Sequence, residues 1–347
     1  MFTETKTTDR TALERQNRRI TRLKELGVTR STVFVHHECK AALDSLRPLL
    51  VEPEKAAILS KLTTQIAEEA QPINVAQVRQ LSPFRYPGGK TWLVPEIRNW
   101  LCSLGRVPDV FVEPFAGGSI AGLTAAAEKL AYTVVLSELD DDVAAVWSTV
   151  FHGTDEEVSW LCDQIKTFEV TLENVQQALG SEPRSDASRA FRTIIKNRVQ
   201  RGGIMAPGAG LIKTGEAGRG LRSRWYPETL AERIRVLRQL QDRVTFLHCD
   251  ANFTIEQFIS NPRACFFIDP PYTAGGKRAG SRLYSHNEVN HEKLFALLAT
   301  ARGAVMMTYD DVPEVREMAE RHAFRVQTVP MKNSHHAVMR ELLIVKP

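Results

Sequence analysis

The tetrapeptide Asp269-Pro270-Pro271-Tyr272 follows directly on the apolar run Cys265–Ile268, which reads as a short buried strand. A carboxylate, a rigid carbonyl and an aromatic ring at one strand tip suit a particular chemistry. An aromatic amino nitrogen is a poor nucleophile because its lone pair is delocalised into the ring. Two acceptors aimed at its two N–H groups draw the nitrogen toward tetrahedral geometry, and Asp269 and the Pro270 carbonyl are candidates for that pair. Proline fixes the direction of the carbonyl and removes competing backbone donors. Tyr272 offers a face for a flat heterocycle, a contact worth about 1–3 kcal/mol for a nucleic-acid base. A proline turn after a core strand would look the same, so other segments must decide.

Three such segments lie upstream. Phe111-Val-Glu-Pro-Phe-Ala-Gly-Gly-Ser119 reads as strand, glycine turn and helix start. Glycines let backbone approach a ligand, and a helix N-terminus presents N–H groups to a carboxylate. It does not match GxGxxG, and a tight structural turn is the alternative. Glu138 ends the next apolar strand, about 20 residues beyond the glycines, where an acidic group is placed to accept from ribose hydroxyls. Leu139 beside it can pack on an adenine face; a plain surface carboxylate is the competing reading of Glu138. Phe84-Arg-Tyr-Pro-Gly-Gly-Lys90 sets a cation beside exposed backbone. It is not a phosphate-binding P-loop, because Phe84 stands where the first glycine is required.

To bring these segments together, the chain must set them on the strand ends of one sheet. Strand patterns fall at 109–113, 133–136, 244–247, 265–268 and 304–309, and two closing strands near 324–330 and 337–345 predict an antiparallel edge hairpin. Helical patterns fall at 119–130, 143–168, 187–198, 230–240, 292–302 and 313–322, while residues 202–220 hold seven glycines and read as loop. Alternating strands and helices imply an α/β sheet with helices on both faces. The first 80 residues have a different texture, with helical stretches near 13–26, 37–50 and 54–70 and a short β-branched run at 31–36.

Composition narrows the function class. No apolar run approaches the roughly 20 residues a bilayer span needs, and the polar start from Thr3 to Arg19 is not expected to act as a secretory signal. Five scattered cysteines (Cys39, Cys102, Cys162, Cys249, Cys265) form no CxxC, which predicts reduced thiols in a cytoplasmic protein. His36-His37-Glu38-Cys39 lacks a second ligand pair, so no metal site is expected. The net charge is +4, yet residues 181–245 carry fourteen Lys/Arg against six Asp/Glu, leaving the rest of the chain net negative. That concentration suits a polyanion such as DNA, or else a solvated Arg-rich helix face.

Taken in order, the four segments resemble the Dam-like family (D12 class, alpha group) of DNA adenine-N6 methyltransferases, over about residues 82 to 347. The resemblance implies a class I S-adenosylmethionine-dependent methyltransferase fold with a Rossmann-like, seven-stranded mixed sheet. It implies a core at 81–150 and 246–347, a mainly helical target-recognition insert at 151–245 and an N-terminal extension at 1–80. Tyr86 and Lys90 match positions that contact S-adenosylmethionine, and Glu113, Phe115 and Gly117 match the loop around its methionine part. Glu138 stands where the family usually has Asp and is expected to hold the ribose, with Leu139 on the adenine; Asp250 matches the acid that contacts the cofactor adenine. Gly118-Ser119 replaces the usual Ser-Gly order. Asp269, Pro270 and Tyr272 match the catalytic motif, and Asp269 also borders the cofactor.

The implied reaction flips an adenine out of double-stranded DNA and methylates N6 by direct attack, with no cysteine nucleophile, as in restriction-modification systems. Arg192, Lys196, Arg198, Arg201, Lys213, Arg219, Arg222 and Arg224 are the candidate DNA contacts of the insert. N4-cytosine methylation uses the same amino-group logic. A DNA-binding regulator built on a degenerate core is a further alternative, opposed by the intact Asp269–Tyr272 motif and Lys90. Thr32-Val-Phe-Val-His36 followed by helices is weakly similar to a ribbon-helix-helix module, which would make a homodimer; a helical cap on the core is the alternative.

Overall fold

The computed structural model describes residues 44–45, 78–85, 88–272, 289–332 and 338–346, with backbone alone at 331–332 and 338–339. The chain falls into two compact units, Met1–Gln71 and Pro72–Pro347. The ribbon strand and helices expected at the N-terminus lie outside the described residues, apart from the helical Asp44 and Ser45, and so does Tyr86.

Among the described residues of the second unit, seven strands make one sheet: β1 (Val110–Glu113), β2 (Thr133–Glu138), β3 (Val244–His248), β4 (Ala264–Ile268), β5 (Ala304–Asp310), β6 (Arg325–Lys332) and β7 (Val338–Val345). Their order is β3-β2-β1-β4-β5-β7-β6. The first five run parallel, and β7 is antiparallel to both β5 and β6, so the closing hairpin forms at an edge as its sequence predicts. The chain winds outward from β1 to β3, then returns to the other side of β1 with β4 and β5. The order therefore reverses between β1 and β4, and the crevice beyond the carboxyl ends of those two strands is where open α/β sheets bind ligands.

β1 and β4 are buried along their whole length, as parallel strands covered on both faces must be. Alternate side chains feed two cores. Phe111, Cys265 and Phe267 join Leu123, Leu136 and Trp147 on one face. Val112, Phe266 and Ile268 join Phe295, Tyr309 and Ile344 on the other.

Between β2 and β3 run α3 (Asp141–His152), α4 (Asp155–Thr167), α5 (Leu172–Gly180), α6 (Asp186–Val199) and α7 (Pro227–Arg238), the designations α1 and α2 belonging to Val94–Ser103 and Ile120–Ala127. Leu161, Ile194 and Ile234 from these helices enter the same apolar cluster as Phe111, so the helical segment is packed onto one face of the sheet. Each start is specified locally: Asp140 caps α3, and Thr154 with Glu157 forms a capping box on α4. Beyond them lie α8 (Ala251–Phe258), α9 (His291–Ala299) and α10 (Pro313–Arg321). No described helix is long and apolar enough to cross a membrane.

Gly122 lets α2 lie close against β2. A Cβ there would stand 2.5 Å from Leu136 Cδ2 and 2.6 Å from Glu113 Oε2, both in fully packed surroundings. Gly122→Ala is expected to cost about 1–3 kcal/mol in denaturant unfolding, overpacking outweighing the gain in helix propensity. Stability equal to the parent protein would show that this contact has slack.

Candidate functional site

Asp269 emerges directly after β4, one step past the switch point. Its Oδ1 accepts from Lys90 Nζ at 2.9 Å, from Thr308 Oγ1 at 2.7 Å and from the Tyr272 hydroxyl at 3.0 Å. Lys90 is 3% exposed; it also donates to the Gly88 carbonyl at 2.7 Å and lies 3.8 Å from Glu341 Oε2. Burial disfavours the Lys90 cation, but Asp269 and Glu341 outweigh that and hold its pKa above the usual lysine value. The Tyr272 hydroxyl reaches Glu341 Oε2 at 3.3 Å as well, so its one proton is shared between two carboxylates. Burial, Asp269 and Glu341 push the Tyr272 pKa far up, which keeps that proton on the phenol. Its ring stacks on Tyr309 at 5.8 Å, with Lys90 Nζ at 5.1 Å from the ring centroid. Pro270 is buried beside this cluster.

Thr308 and Glu341 belong to the site although no motif marks them. Both carry a signal: each is a buried polar residue in a mainly apolar strand, Met-Met-Thr-Tyr in β5 and Arg-Glu-Leu-Leu in β7. Burial raises the Glu341 pKa to about 7, against the pull of Lys90.

The glycine turn is held by the two acids that flank it. Glu113 is buried, and its Oε2 accepts from the Ser119 hydroxyl at 2.6 Å and from Gly122 N at 2.8 Å. Ser119 is the N-cap of α2 at φ +50°, a left-handed conformation that costs a residue with a Cβ about 1–2 kcal/mol. The buried bond to Glu113 is what serine offers in return, which glycine at that position would not. Glu138 Oε2 accepts from Gly117 N at 2.8 Å, and Oε1 from Leu139 N and Asp140 N at 2.9 and 3.0 Å. Trp147 Nε1 donates to the Gly117 carbonyl at 3.0 Å and fixes the other side of the turn. Leu139 is 42% exposed at the strand end, and Asp250 caps α8 from the end of β3.

A cavity of about 370 Å³ joins these features. Lys90, Glu113, Phe115, Gly117, Glu138, Leu139, Asp250 and Asp269 all line it, together with Arg85 and Arg233, which the sequence did not single out. Glu138 and Asp269, from β2 and β4, thus face one space.

The candidate DNA contacts scatter more. Arg192 and Lys196 both pair with Asp142, at 3.0 and 3.2 Å. Arg201 donates to the Leu211 carbonyl at 3.3 Å and Arg222 to the Val170 carbonyl at 3.1 Å. Arg224 pairs with Glu216, Arg219 lies over the Tyr226 ring at 5.7 Å, and Lys213 is exposed. Arg198 is a correction: it is 4% exposed and donates to the Pro83 carbonyl, so it is no surface contact, because its stem joins the buried face of α6.

The family model for D12 class N6 adenine-specific DNA methyltransferases matches residues 86–331, from the Gly-Gly-Lys turn to β6. The chain belongs to that family. It is an adenine-specific DNA methyltransferase with a class I methyltransferase fold. No curated protein matches it. Among solved structures, a proposed RNA methyltransferase from Pyrococcus horikoshii is similar at 11% identity and a TM-score of 0.34, covering 76% of this chain and 83% of its own. A proposed transferase from the same organism gives 11% identity and a TM-score of 0.29, covering 72% of this chain and 61% of its own.

The family implies S-adenosylmethionine as methyl donor. The cavity suits it: Glu138 and Asp250 offer acceptors to hydroxyl and amino groups, Phe115 and Leu139 offer apolar surface, and the carboxylates suit a sulfonium cation. Glu138 retains room for a further donor, since a carboxylate accepts about four hydrogen bonds and three are in place. Among the described residues, no group of His, Cys, Asp and Glu is arranged to hold a metal.

Burial raises the Glu113 pKa to about 8, above the ordinary 4.5, with Ser119 and Gly122 opposing. The folded methyltransferase therefore keeps a proton that the unfolded chain releases, and stability falls as pH rises from 4.5 to about 8. Glu113→Gln, which cannot ionise, should flatten this dependence in urea midpoints taken across that interval. A variant whose midpoint follows the parent at every pH contradicts the assignment.

Proposed function

We propose that this methyltransferase methylates N6 of an adenine at a specific duplex DNA sequence, taking the base extruded into the cavity at the β1–β4 switch point. One observation carries the reading. Asp269 Oδ1 is clamped by Lys90, Thr308 and Tyr272 on the wall of the cavity that Glu138 also lines. Held in place by Lys90, Thr308 and Tyr272, Asp269 is a fixed acceptor for one N6–H, and the Pro270 carbonyl is the acceptor for the other. Together they localise the nitrogen lone pair, and positioning does most of the remaining work. Tyr272 supplies the aromatic face for the base.

S-adenosylmethionine, when bound, supplies an electrophilic methyl group. Glu138 receives the ribose and Asp250 the adenine amino group, with Leu139 and Phe115 against the flat surfaces. Lys90, Glu113 and Gly117 border the methionine part. Residues 151–245 form the target-recognition segment, with Lys213, Arg219 and Arg201 on its accessible side.

Removing the Asp269 carboxylate outright would leave the Lys90 ammonium buried with its more distant partner, a change that costs about 3–5 kcal/mol. The cleaner variant is Asp269→Asn, whose amide oxygen still accepts from Thr308. Nucleoside mass spectrometry of treated DNA is expected to show N6-methyladenine with the parent enzyme, and a rate lower by about 100-fold or more with Asp269→Asn at unchanged fold. N4-methylcytosine as product, or full activity in the variant, overturns the reading.

A further inference from the structure

The segment entering the Gly-Gly-Lys turn is clasped by the helical insert. Arg233 of α7 donates to the Ser82 carbonyl at 3.0 Å, and Arg198 of α6 donates to the Pro83 carbonyl. Asn197 accepts from Arg85 N and donates back to the Arg85 carbonyl, both at 2.9 Å. The clasp collects the guanidinium groups of Arg85, Arg198 and Arg233, with Arg224 beside them. Glu216 is the carboxylate acting on this cluster, and it is already paired with Arg224.

Such a gathering of like charge is unfavourable unless something answers it. Burial, and then the cations of Arg233, Arg85 and Arg224, push the Arg198 pKa down to about 9. Burial lowers Arg233 and, with Arg224, Arg85. Two donors are also unanswered: among the described residues, neither Arg198 Nε nor Arg85 Nη1 meets an acceptor, although both atoms are shielded from water. A buried donor without a partner costs about 1–3 kcal/mol. Arg85 and Arg233 line the same cavity as Asp269, so the excess charge borders the reaction space.

We propose that Arg85 and Arg233, with the buried Arg198 cation behind them, form a phosphate seat that holds a backbone phosphodiester next to the extruded adenosine. The proposal rests on the reading that the cavity receives a base from DNA. A base pulled from the stack carries its own phosphates to the cavity mouth. A guanidinium cluster there fixes the register of the strand, because Arg matches phosphate oxygens with paired donors. Its position at the joint between insert and core couples strand placement to the Gly-Gly-Lys turn, and through Lys90 to Asp269.

The test crosses one protein change with one DNA change, using the full chain and a duplex that the parent enzyme methylates. Arg233→Gln keeps a donor for the Ser82 carbonyl while removing the charge. In the DNA, each phosphodiester flanking the target adenine is replaced in turn by a neutral methylphosphonate. The parent enzyme is expected to show about a tenfold rise in KM for DNA at one position, more than any fall in kcat. Arg233→Gln should show a similar rise on unmodified DNA and no further loss at that position. Fully additive losses at every position overturn the seat, and so does an unchanged KM in the variant. Calorimetry with S-adenosylhomocysteine alone separates the other oxyanion within reach, the cofactor carboxylate: a Kd weakened tenfold in the variant assigns the cluster to the cofactor and refutes the proposal. Arg233→Lys, which retains charge, should recover part of the KM. Absence of adenine methylation by the parent enzyme would instead remove the functional reading itself.

Discussion

A lysine ammonium held out of water against two carboxylates is the interaction on which the rest of this molecule depends. Lys90 is reached by Asp269 at 2.9 Å and by Glu341 at 3.8 Å, and each belongs to a different part of the fold. One is on the turn that precedes α1, one follows β4, and one lies in β7. Taking these charges out of water costs several kcal/mol per ion, which good geometry and extra hydrogen bonds must offset. Thr308, Tyr272 and the Gly88 carbonyl provide those bonds. The cluster is therefore a poor source of stability and a strong source of specificity: it forms only when all three segments are in register.

The same economy governs the other half of the site. Glu113 accepts from the Ser119 hydroxyl and from Gly122 N in the first turn of α2, and Glu138 accepts from Gly117 N in the turn itself and from Leu139 N after β2. The turn is stiff before any ligand arrives. A left-handed Ser119 is tolerable there because a buried carboxyl receives its hydroxyl.

Much of this was legible in the sequence. Short apolar runs such as Cys265–Ile268, bounded by turn residues, read as buried strands, and the acid that ends three of them marks a carboxyl end, which places Glu113, Glu138 and Asp269 at one end of the sheet. The helices Val94–Ser103 and Ala251–Phe258 escaped notice for physical reasons: each is short, and one lies beside motif residues whose chemistry drew the reading elsewhere. Glu341 and Thr308 have no motif to mark them because their partners are distant in sequence, Lys90 for Glu341 and Asp269 for Thr308. Arg198 misled for the converse reason. Charge was read as surface, whereas α6 turns that position inward and the Pro83 carbonyl receives it.

The hairpin that closes the sheet has a consequence in time. β7 slots between β5 and β6, so its place in the sheet exists only after both neighbours have been made. Until β7 docks, the ammonium at position 90 lacks one of its counter-charges, and the hydroxyl at 272 lacks one of its anchors. The reaction centre is therefore complete only with β7 in its place in the sheet, which ties the chemistry of the β4 end to the closing hairpin.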